Sequence, residues 1–320
     1  MPSAPLITVL LCVHNDRAFI APAVDSILRQ TMGDFEFLII DDGSTDGTGE
    51  YLAAIHDPRI RLLRNLANLG LTRSLNRGLE AARGRFIARM DGDDISEPSR
   101  LESQVRFMLD HPDVGLIGTS RTLVDESGRT IALAPALCDD LSIRFKSLLG
   151  NPFAHPSMML RAQTLSRHRL RYDETFTTAQ DYELWVRMLT VTAGANLPRP
   201  LLHYRLRSGI SKTRKGEQLS NHDRISTLAI GAFAPGFALR PQDLPQLRGR
   251  FGGFSVRDAS LDPADPYWRQ RYLDLRQAFV QHHRHHRGLE DFLAAIPADP
   301  CSGHTPIPDS PASTPPALRA

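Results

Sequence analysis

The sequence predicts an α/β protein in which a mainly parallel sheet is flanked by helices. Apolar runs alternate with amphipathic stretches up to about residue 120, and this alternation is typical of β-α-β units. Acidic or amide residues follow three of the apolar runs directly, around Asn15, Asp42 and Asp91. The chain of 320 residues is also long enough for one large domain with an added segment.

Each predicted element rests on its own residue pattern. Short runs rich in Val, Ile, Leu and Phe between turn residues predict strands, whereas apolar residues that recur every three to four positions predict helices. Pro98 suits the first turn of a helix, because proline lacks a backbone N–H. The predicted strands cover residues 7–13, 35–40, 60–64, 85–90 and 114–119. The predicted helices cover residues 18–30, 48–55, 71–82 and 98–109.

Beyond residue 120 the regular alternation weakens. Residues 121–132 predict a hairpin around the turn 125–129, which contains Asp, Ser and Gly. Helices are predicted over 140–149 and 182–191, and between them a polar loop leads into a strand that ends at Arg161. From residue 235 we expect an added segment with a helix at 267–279. The segment 297–320, rich in Pro, Ser, Thr and Ala, is predicted to be disordered.

The net charge of +2 conceals a basic segment. Between Arg199 and Arg250 the chain has ten Lys or Arg residues and three Asp or Glu residues. Such a segment suits a diphosphate, an anionic glycan or an anionic membrane surface, and a solvated basic face is the alternative. We expect no nucleic-acid partner. The His and Arg run at 282–287 is interpreted as a solvated helix end, because no acid or Cys accompanies it.

The cysteines and the apolar segments indicate the cellular compartment in which the protein is expected. Cys12, Cys138 and Cys301 are widely spaced and form no CxxC pair, which indicates a reducing compartment and no structural zinc. The apolar run at 6–13 has no preceding positive charge and is much shorter than the ~20 residues that a membrane span requires. We therefore expect a cytoplasmic protein, with a peripheral contact at the inner face of the cytoplasmic membrane as an open alternative.

The most informative motif is the sequence DGDD at 91–94, where three carboxylates follow an apolar strand within four residues. Carboxylates this close repel one another, and a divalent cation relieves that repulsion because it prefers oxygen ligands. A solvated acidic turn is the alternative, since Asp and Gly are common turn residues. A second acidic pair, Asp41 and Asp42, also follows a strand, and the carboxyl ends of parallel strands share one edge of a sheet. This coincidence favours a ligand site that holds a divalent cation.

Six motifs follow one another along the chain: VHN at 13–15, IDDGSTD at 40–46, NLG at 68–70 with NRG at 76–78, MDGDD at 90–94, HPS at 155–157 and QDYELW at 180–185. In order and spacing they resemble the inverting glycosyltransferases of family 2, which have the GT-A fold. The resemblance covers approximately residues 5–215. It implies a GT-A domain over 1–215, to which residues 216–296 add a helical C-terminal extension.

The resemblance implies how a nucleotide-sugar donor would be bound. Asp93 and Asp91 would hold a Mg²⁺ or Mn²⁺ ion that bridges the donor diphosphate and stabilises the leaving nucleoside diphosphate. Asp42 would accept a hydrogen bond from the base, and His14 stands where the family commonly has a Tyr that stacks on the base. Helix capping by Ser44 and Asp46, and turn formation at Asn68, are alternative explanations. The implied donor set is Val13, His14, Asn15, Asp42, Asn68 and Asp91.

The resemblance also implies a catalytic base. Asp181 would take the proton of the acceptor hydroxyl, although Gln180 replaces the Glu that usually precedes it. A first-turn charge favoured by the helix dipole is the alternative for Asp181. For the remaining positions a structural or solvated role is equally open. Of these, His155 and Arg161 match the acceptor side, and Arg205 and Lys212 match a loop that closes over the diphosphate.

Together these implications describe a metal-dependent inverting glycosyltransferase. It would move a sugar from a nucleotide-diphosphate sugar, a UDP-sugar, to a hydroxyl of a glycan or lipid-linked acceptor in surface polysaccharide or glycolipid biosynthesis. A nucleotidyltransferase is a rival, but the chain lacks the Gly-rich loop expected after the first strand. A catalytically silent nucleotide-sugar-binding protein is a second rival, which His14 and Gln180 keep open.

Overall fold

The computed structural model describes residues 4–207, 214–251, 261, 262 and 264–296. Over these residues a mixed, mostly parallel sheet is flanked by helices, as the sequence predicts. Lys212, Cys301 and the predicted disordered segment 297–320 lie outside the described residues. The strands are β1 (Ile7–Val13), β2 (Phe35–Asp41), β3 (Ile60–Arg64), β4 (Phe86–Met90), β5 (Ile95–Ser96), β6 (Val114–Val124), β7 (Thr130–Ala134), β8 (Met159–Arg161) and β9 (Ala193–Arg205).

The helices lie on both faces of the sheet and continue beyond it. A short 3₁₀ turn at His155–Ser157 precedes β8. The helices are α1 (Ile20–Leu28), α2 (Thr48–Ala53), α3 (Leu71–Ala81), α4 (Arg100–Asp110), α5 (Asp140–Ser147), α6 (Ala162–Arg167), α7 (Gln180–Leu189), α8 (Lys215–Phe233), α9 (Asp243–Phe251), α10 (Pro266–His282) and α11 (Leu289–Ala295).

The sheet has a parallel half and a mixed half. Its strand order is β3-β2-β1-β4-β8-β6-β9-β5, and β7 pairs with β6. The first four strands are parallel, β8 is antiparallel to both β4 and β6, and β9 runs parallel to β6. Alternate residues of β1 and β4 enter separate apolar clusters, so the sheet divides the core into two layers. Leu10 and Ile87 belong to one cluster, and Val9 and Ala88 to the other.

The helical segment after β9 packs into one of these clusters. The ring of Phe145 on α5 lies 5.2 Å from Phe279 of α10 and 5.5 Å from Phe292 of α11, measured between ring centroids. Such edge-on aromatic contacts join α10 and α11 to the helices beside the sheet. Within the described ranges, no helix is both long enough and apolar enough to cross a membrane.

The His and Arg run at 282–287 ends α10 but is not simply solvated. The ring of His283 lies 4.2 Å from that of Phe279, and an acid accompanies His286, whose Nε2 is 3.4 Å from a carboxylate oxygen of Asp140. Arg287 Nη2 lies 2.6 Å from Asp113 Oδ2. The run is a helix end in which His282, Arg284, His285 and Arg287 are exposed, as predicted, but tertiary packing does bring the acids Asp140 and Asp113 to it.

Candidate active site

The sheet register brings the three polar loops to one edge. β1 lies between β2 and β4, with Val13 opposite Asp41 and Leu11 opposite Met90. Because all three strands are parallel, the segments that follow them leave the sheet side by side. Gly43 turns the chain after β2 with φ +71°, and a Cβ there would lie 2.6 Å from the carbonyl carbon of Ala67. The loop after β2 is thus packed directly against the loop after β3.

Asp42 organises that second loop. It is buried, and its Oδ1 accepts hydrogen bonds from Asn65 Nδ2 at 2.6 Å and from the backbone N–H of Leu69 at 2.9 Å. Its Oδ2 accepts from the N–H of Gly70 at 2.9 Å. A carboxylate oxygen can accept two hydrogen bonds, so within the part of the chain that the structure describes Oδ2 retains capacity for one further donor. Asn68 is exposed on the same loop, and its Oδ1 also accepts from Gly70.

His14 and Asn15 join the ends of β1 and β2. The exposed His14 places Nδ1 2.9 Å from the carbonyl oxygen of Asp42, which only a protonated nitrogen can satisfy. Asn15 has a positive φ of 52°, donates its backbone N–H to Ser44 Oγ, and accepts from the N–H of Thr45 at 2.8 Å. These bonds fix the backbone of both loops and leave the His14 ring facing solvent.

The three carboxylates after β4 form a compact cluster. One ligand oxygen from each of Asp91, Asp93 and Asp94 lies within 4.8 Å of the others. Asp94 is buried, and its Oδ1 accepts from the backbone N–H of Arg205 at 2.8 Å. Its Oδ2 is also buried and has no hydrogen-bond partner among the described residues. A buried carboxylate oxygen without a donor fits a hard cation, so these residues suit Mg²⁺ or Mn²⁺.

The electrostatics of the cluster agree with this assignment. Burial, together with the charges of Asp91 and Asp16, raises the pKa of Asp93 to about 6. Burial and the charges of Asp91 and Asp93 raise the pKa of Asp94 well above its usual range. Burial and the neighbouring carboxylates thus disfavour the charged forms of Asp93 and Asp94, a cost that a bound cation would offset.

Two arginines at the end of β9 contact the cluster in different ways. Arg205 is buried, and its Nε donates to the carbonyl of Asp93 at 2.7 Å, while Nη1 donates to the carbonyls of Asp125 and Glu126. These hydrogen bonds connect the acidic turn at residues 91–94 to the β6–β7 hairpin. Arg207 is half-buried, and its Nη1 lies 2.6 Å from Asp16 Oδ1 and 3.5 Å from Asp93 Oδ2.

Asp181 lies in the first turn of α7, on the side of the sheet that carries α3 and α5. It is half-buried, and its Oδ2 accepts a hydrogen bond from Asn151 Nδ2 at 2.8 Å. Burial raises the pKa of Asp181, and hydrogen bonds from the Tyr182 backbone and from Asn151 oppose that change. A carboxylate with a raised pKa is a stronger base, which is the property that proton abstraction requires.

His155 contacts this side of the site through Tyr172. Its Nε2 lies 2.9 Å from the Tyr172 hydroxyl oxygen, and its ring centroid is 5.9 Å from that of Trp185. Burial, followed by the positive charge of Arg89, lowers the pKa of His155 well below its usual value. His155 is therefore neutral at physiological pH and is a hydrogen-bonding group rather than a cation.

Arg161 is not brought to this edge. It pairs with Phe86, the first residue of β4, whereas the acidic cluster follows the last residue of that strand. Its guanidinium donates to the carbonyls of Met108 and Val114 at 2.8 Å and 2.9 Å. These contacts give Arg161 a structural role at the start of β4, at the end of the strand opposite to the acidic cluster.

Arg89 belongs to the otherwise apolar strand β4 and contacts the acidic cluster through Asp91. It is 2 % exposed, and its Nη2 lies 2.5 Å from Asp91 Oδ1. Its positive charge also lowers the pKa of His155 and opposes the burial effect at Asp181. The signal in the sequence is a basic residue inside an otherwise apolar strand, two positions before the acidic cluster.

Comparison with known proteins decides the family. The model of the family described as "Glycosyl transferase family 2" matches residues 8–169. The putative glycosyltransferase EpsE of Bacillus subtilis is 36% identical over 67% of this chain and 78% of its own length. The chain belongs to glycosyl transferase family 2. As a family 2 glycosyltransferase it is an enzyme of sugar transfer, and the nucleotidyltransferase alternative is wrong.

A second relative and a solved structure also resemble this family 2 glycosyltransferase. WbnJ of Escherichia coli, an O-antigen biosynthesis glycosyltransferase, is 32% identical over 63% of this chain and 80% of its own length. Staphylococcus aureus TarS, solved in complex with UDP-GlcNAc, superposes with a TM-score of 0.60 at 17% identity, covering 85% of this chain and 81% of the TarS chain. At that identity the TarS likeness concerns the fold alone, and it confirms the predicted GT-A architecture.

Proposed function

We propose that this family 2 glycosyltransferase transfers a sugar from a UDP-sugar to a glycan or lipid-linked hydroxyl with inversion, depends on Mg²⁺ or Mn²⁺, and acts in surface polysaccharide or glycolipid synthesis. The observation that carries the proposal is the buried Oδ2 of Asp94, which has no hydrogen-bond partner among the described residues and lies in a cluster of three carboxylates. That cluster lies at the sheet edge that also presents Asp42.

The chain's own residues can hold the metal and the donor. Asp91, Asp93 and Asp94 offer carboxylate oxygens that would hold Mg²⁺ or Mn²⁺. When bound, such an ion supplies positive charge that stabilises the departing nucleoside diphosphate. Arg207 already lies against Asp16 and Asp93, so its guanidinium is placed to meet diphosphate oxygens at the same edge.

The base of the donor would lie over the loops after β1, β2 and β3. The exposed ring of His14 offers a stacking surface, and Asp42 Oδ2 has one free acceptor position for an imide N–H of uracil. Val13, Asn15 and Asn68 hold or flank the same loops. Two comparisons support this donor and pathway class: TarS binds UDP-GlcNAc, and WbnJ is named for O-antigen biosynthesis.

Asp181 would act as the general base. Its carboxylate is oriented by Asn151 and has a raised pKa, so it can accept the proton of an acceptor hydroxyl as that oxygen attacks the anomeric carbon. A single displacement of this kind inverts the anomeric configuration. His155, held neutral beside Tyr172, would line the acceptor side. We place the enzyme in the cytoplasm, with peripheral contact at the membrane when the acceptor is lipid-linked.

The test is incubation with UDP-glucose, UDP-galactose, UDP-GlcNAc and UDP-glucuronic acid in the presence of Mn²⁺, with UDP release measured with and without candidate acceptors. We expect Asp181→Asn to bind UDP and Mn²⁺ normally but to transfer sugar about 10²–10⁴-fold more slowly, the usual contribution of a general base. Because burial raises the pKa of Asp181, wild-type transfer should fall as the pH drops through that raised pKa.

Two controls make the test specific. Glu174→Gln changes an exposed carboxylate that contacts Arg73 and should leave transfer unchanged. NMR of the product should show the inverted anomer. A retained anomer, or wild-type transfer by Asp181→Asn, would remove Asp181 from the mechanism. Absence of turnover with tight UDP-sugar binding would favour the silent-binding alternative.

A further inference from the structure

The segment 172–179 leads directly into α7, whose first turn contains the proposed base, and residues of α3 hold its first part. Asn76 is buried on α3. Its Nδ2 donates to the carbonyl of Tyr172 at 2.9 Å, and its Oδ1 accepts from the Tyr172 N–H at 3.0 Å. Thr72 Oγ1 donates to the carbonyl of Phe176 at 3.1 Å. These bonds attach the segment to the sheet domain as far as Phe176.

The last residues before α7 are held by the helical extension instead. Asn221 of α8 and Thr178 are both buried, and Asn221 Nδ2 donates to the carbonyl oxygen of Thr178 at 3.2 Å and to its Oγ1 at 3.0 Å. Asn221 Oδ1 accepts from Arg224 Nη1 at 3.2 Å. Thr177 and Glu217 form a second hydrogen bond between the segment and α8. The extension therefore contacts the residues that directly precede the proposed base.

Ala179 lies between these contacts and α7 and has an unusual backbone conformation. Its φ of 58° and ψ of 22° lie in the left-handed region, which a residue with a Cβ adopts at a steric cost. Such a conformation persists only where the surrounding contacts fix it. The carbonyl of Ala179 accepts from the N–H of Glu183 at 3.1 Å, so this residue sets the direction in which α7 begins. Asp181 follows two positions later, in the first turn of that helix.

We propose that Asn221 is a positioning residue of the transfer reaction: by holding Thr178 it maintains the left-handed turn before α7 and so orients Asp181. The proposal rests on the proposed function, in which Asp181 is the general base. Asn221 is buried and both polar atoms of its amide bind the chain, so it acts through the base rather than on a ligand. The helical extension thereby contributes to catalysis. Loss of Asn221 should slow transfer without weakening donor binding, because the donor residues follow β1, β2 and β4 instead.

The experiment uses the full chain with Asn221→Ala, which removes both hydrogen bonds to Thr178. Transfer is measured with the UDP-sugar that wild type turns over fastest, at a temperature at which circular dichroism shows every variant to be folded. Calorimetry gives the affinities for UDP and Mn²⁺. We expect kcat to fall about 10–100-fold, since a small displacement of a catalytic group has effects of that size. The donor KM and the affinities for UDP and Mn²⁺ should stay unchanged.

Asn196→Ala is the matched control. Asn196 is also a buried asparagine, but its Nδ2 donates to the carbonyl of Leu137 at 2.6 Å, outside the segment 172–179. Its replacement should lower the melting temperature and leave kcat unchanged. Ala179→Gly provides a rescue, because glycine adopts the left-handed region without steric cost. Combined with Asn221→Ala, it should restore part of the lost kcat, which a role in stability alone would not predict for a protein that is already folded.

A second variant decides the question if Asn221→Ala fails to fold. Thr178→Val keeps the shape of the side chain and removes the Oγ1 acceptor, while the carbonyl acceptor remains. It should lower kcat in the same direction but by less, again without loss of UDP affinity.

The outcomes separate the inference from the proposed function. An unchanged kcat in folded Asn221→Ala or Thr178→Val, or equal losses of kcat and UDP affinity, would overturn the positioning role. In an Asp181→Asn background Asn221→Ala should cost no further kcat, since it acts through the base, and an additive loss would also overturn the role. Wild-type transfer by Asp181→Asn alone would instead overturn the base that the proposed function assigns.

Discussion

The helical layer α8–α11 and the carboxyl edge of the sheet both bury charge, but they compensate it differently. In the helical layer, Asp243 is fully buried and both its oxygens meet the guanidinium of Arg271. Arg248 there contacts the Asp223 carboxylate and also donates to the carbonyl of Leu149 at 3.1 Å. These charges are satisfied by the chain itself.

At the sheet edge the compensation is incomplete. Asp94 Oδ2 and Arg89 Nε are buried without hydrogen-bond partners among the described residues, and the pKa of Asp93 is raised to about 6 by burial and by neighbouring acids. Native proteins satisfy most buried polar groups, so an unpartnered carboxylate oxygen inside a cluster of three acids suits a bound cation. Opposite charges paired within the helical layer support the fold, whereas like charges gathered at the sheet edge indicate a ligand site.

The largest effect should come from the acidic cluster. Asp93→Ala should lower UDP release by about 10³-fold or more, because the metal it would hold stabilises the transition state by several kcal/mol. The free energy of unfolding at pH 8 should stay the same or rise, since one of three repelling carboxylates is gone. Turnover assays and chemical denaturation measure the two quantities. A variant that loses both activity and stability would erase the distinction between the two regions.

A substitution in the helical layer should have the opposite pattern. Asp243→Ala leaves Arg271 buried without its main partner and should reduce the free energy of unfolding by about 3–5 kcal/mol, the usual cost of breaking a buried ion pair. The UDP affinity of the folded protein should not change. Asp274→Ala is the matched control, because Asp274 lies 3.6 Å from the same arginine but is 40% exposed. It should change stability by at most about 1 kcal/mol in urea denaturation.

Asp42 lies between these two cases. Donors among the described residues occupy three acceptor positions of its carboxylate and leave one on Oδ2 for a ligand. Asp42→Ala should weaken UDP binding by about 1–3 kcal/mol through loss of a charge-assisted hydrogen bond. Calorimetry with UDP measures this loss, and Glu50→Gln, at an exposed site, is the control. Equal UDP affinity in Asp42→Ala and wild type would exclude the base contact, and a preference for GDP would exclude the donor assignment.

The last prediction concerns the pH dependence of stability. Burial lowers the pKa of His222 and His283 to about 4 from the usual 6.5. The unfolded chain therefore binds more protons than the folded one between about pH 6.5 and 4, so stability should decline as the pH falls through that window. Thermal unfolding of His222→Gln and His283→Gln should show a weaker decline. A melting temperature that falls equally steeply in wild type and in both variants would assign the effect to other groups.

The parallel half of the fold follows from the sequence, and the mixed half does so less completely. β1 and β3 have their predicted bounds, because short apolar runs between turn residues are strong local signals. β9 was missed, because Pro198 and Pro200 interrupt its pattern. The register with β6 shifts at that point, between Leu197 and Pro200, which accommodates the prolines in a long strand. Such a bulge depends on the partner strand and has no local signature.

The candidate site divides in a similar way. The sequence predicts the acidic cluster and Asp181, since strand ends and motif order mark them. It indicates no role for Arg89 or Asn151, because each acts through a residue that is distant along the chain or on the neighbouring turn. Arg161 was placed on the acceptor side from its motif, but the antiparallel pairing of β8 with β4 carries it to the other end of the sheet.

The most direct test of the central claim is calorimetric titration of wild type and Asp94→Asn with UDP, once with Mn²⁺ and once with EDTA. If the unbalanced charge at the sheet edge is a metal and donor site, Mn²⁺ should tighten UDP binding to wild type by about 10²-fold, since the metal contributes several kcal/mol. That gain should largely disappear in Asp94→Asn. Equal UDP affinity of wild type in Mn²⁺ and in EDTA would contradict the account.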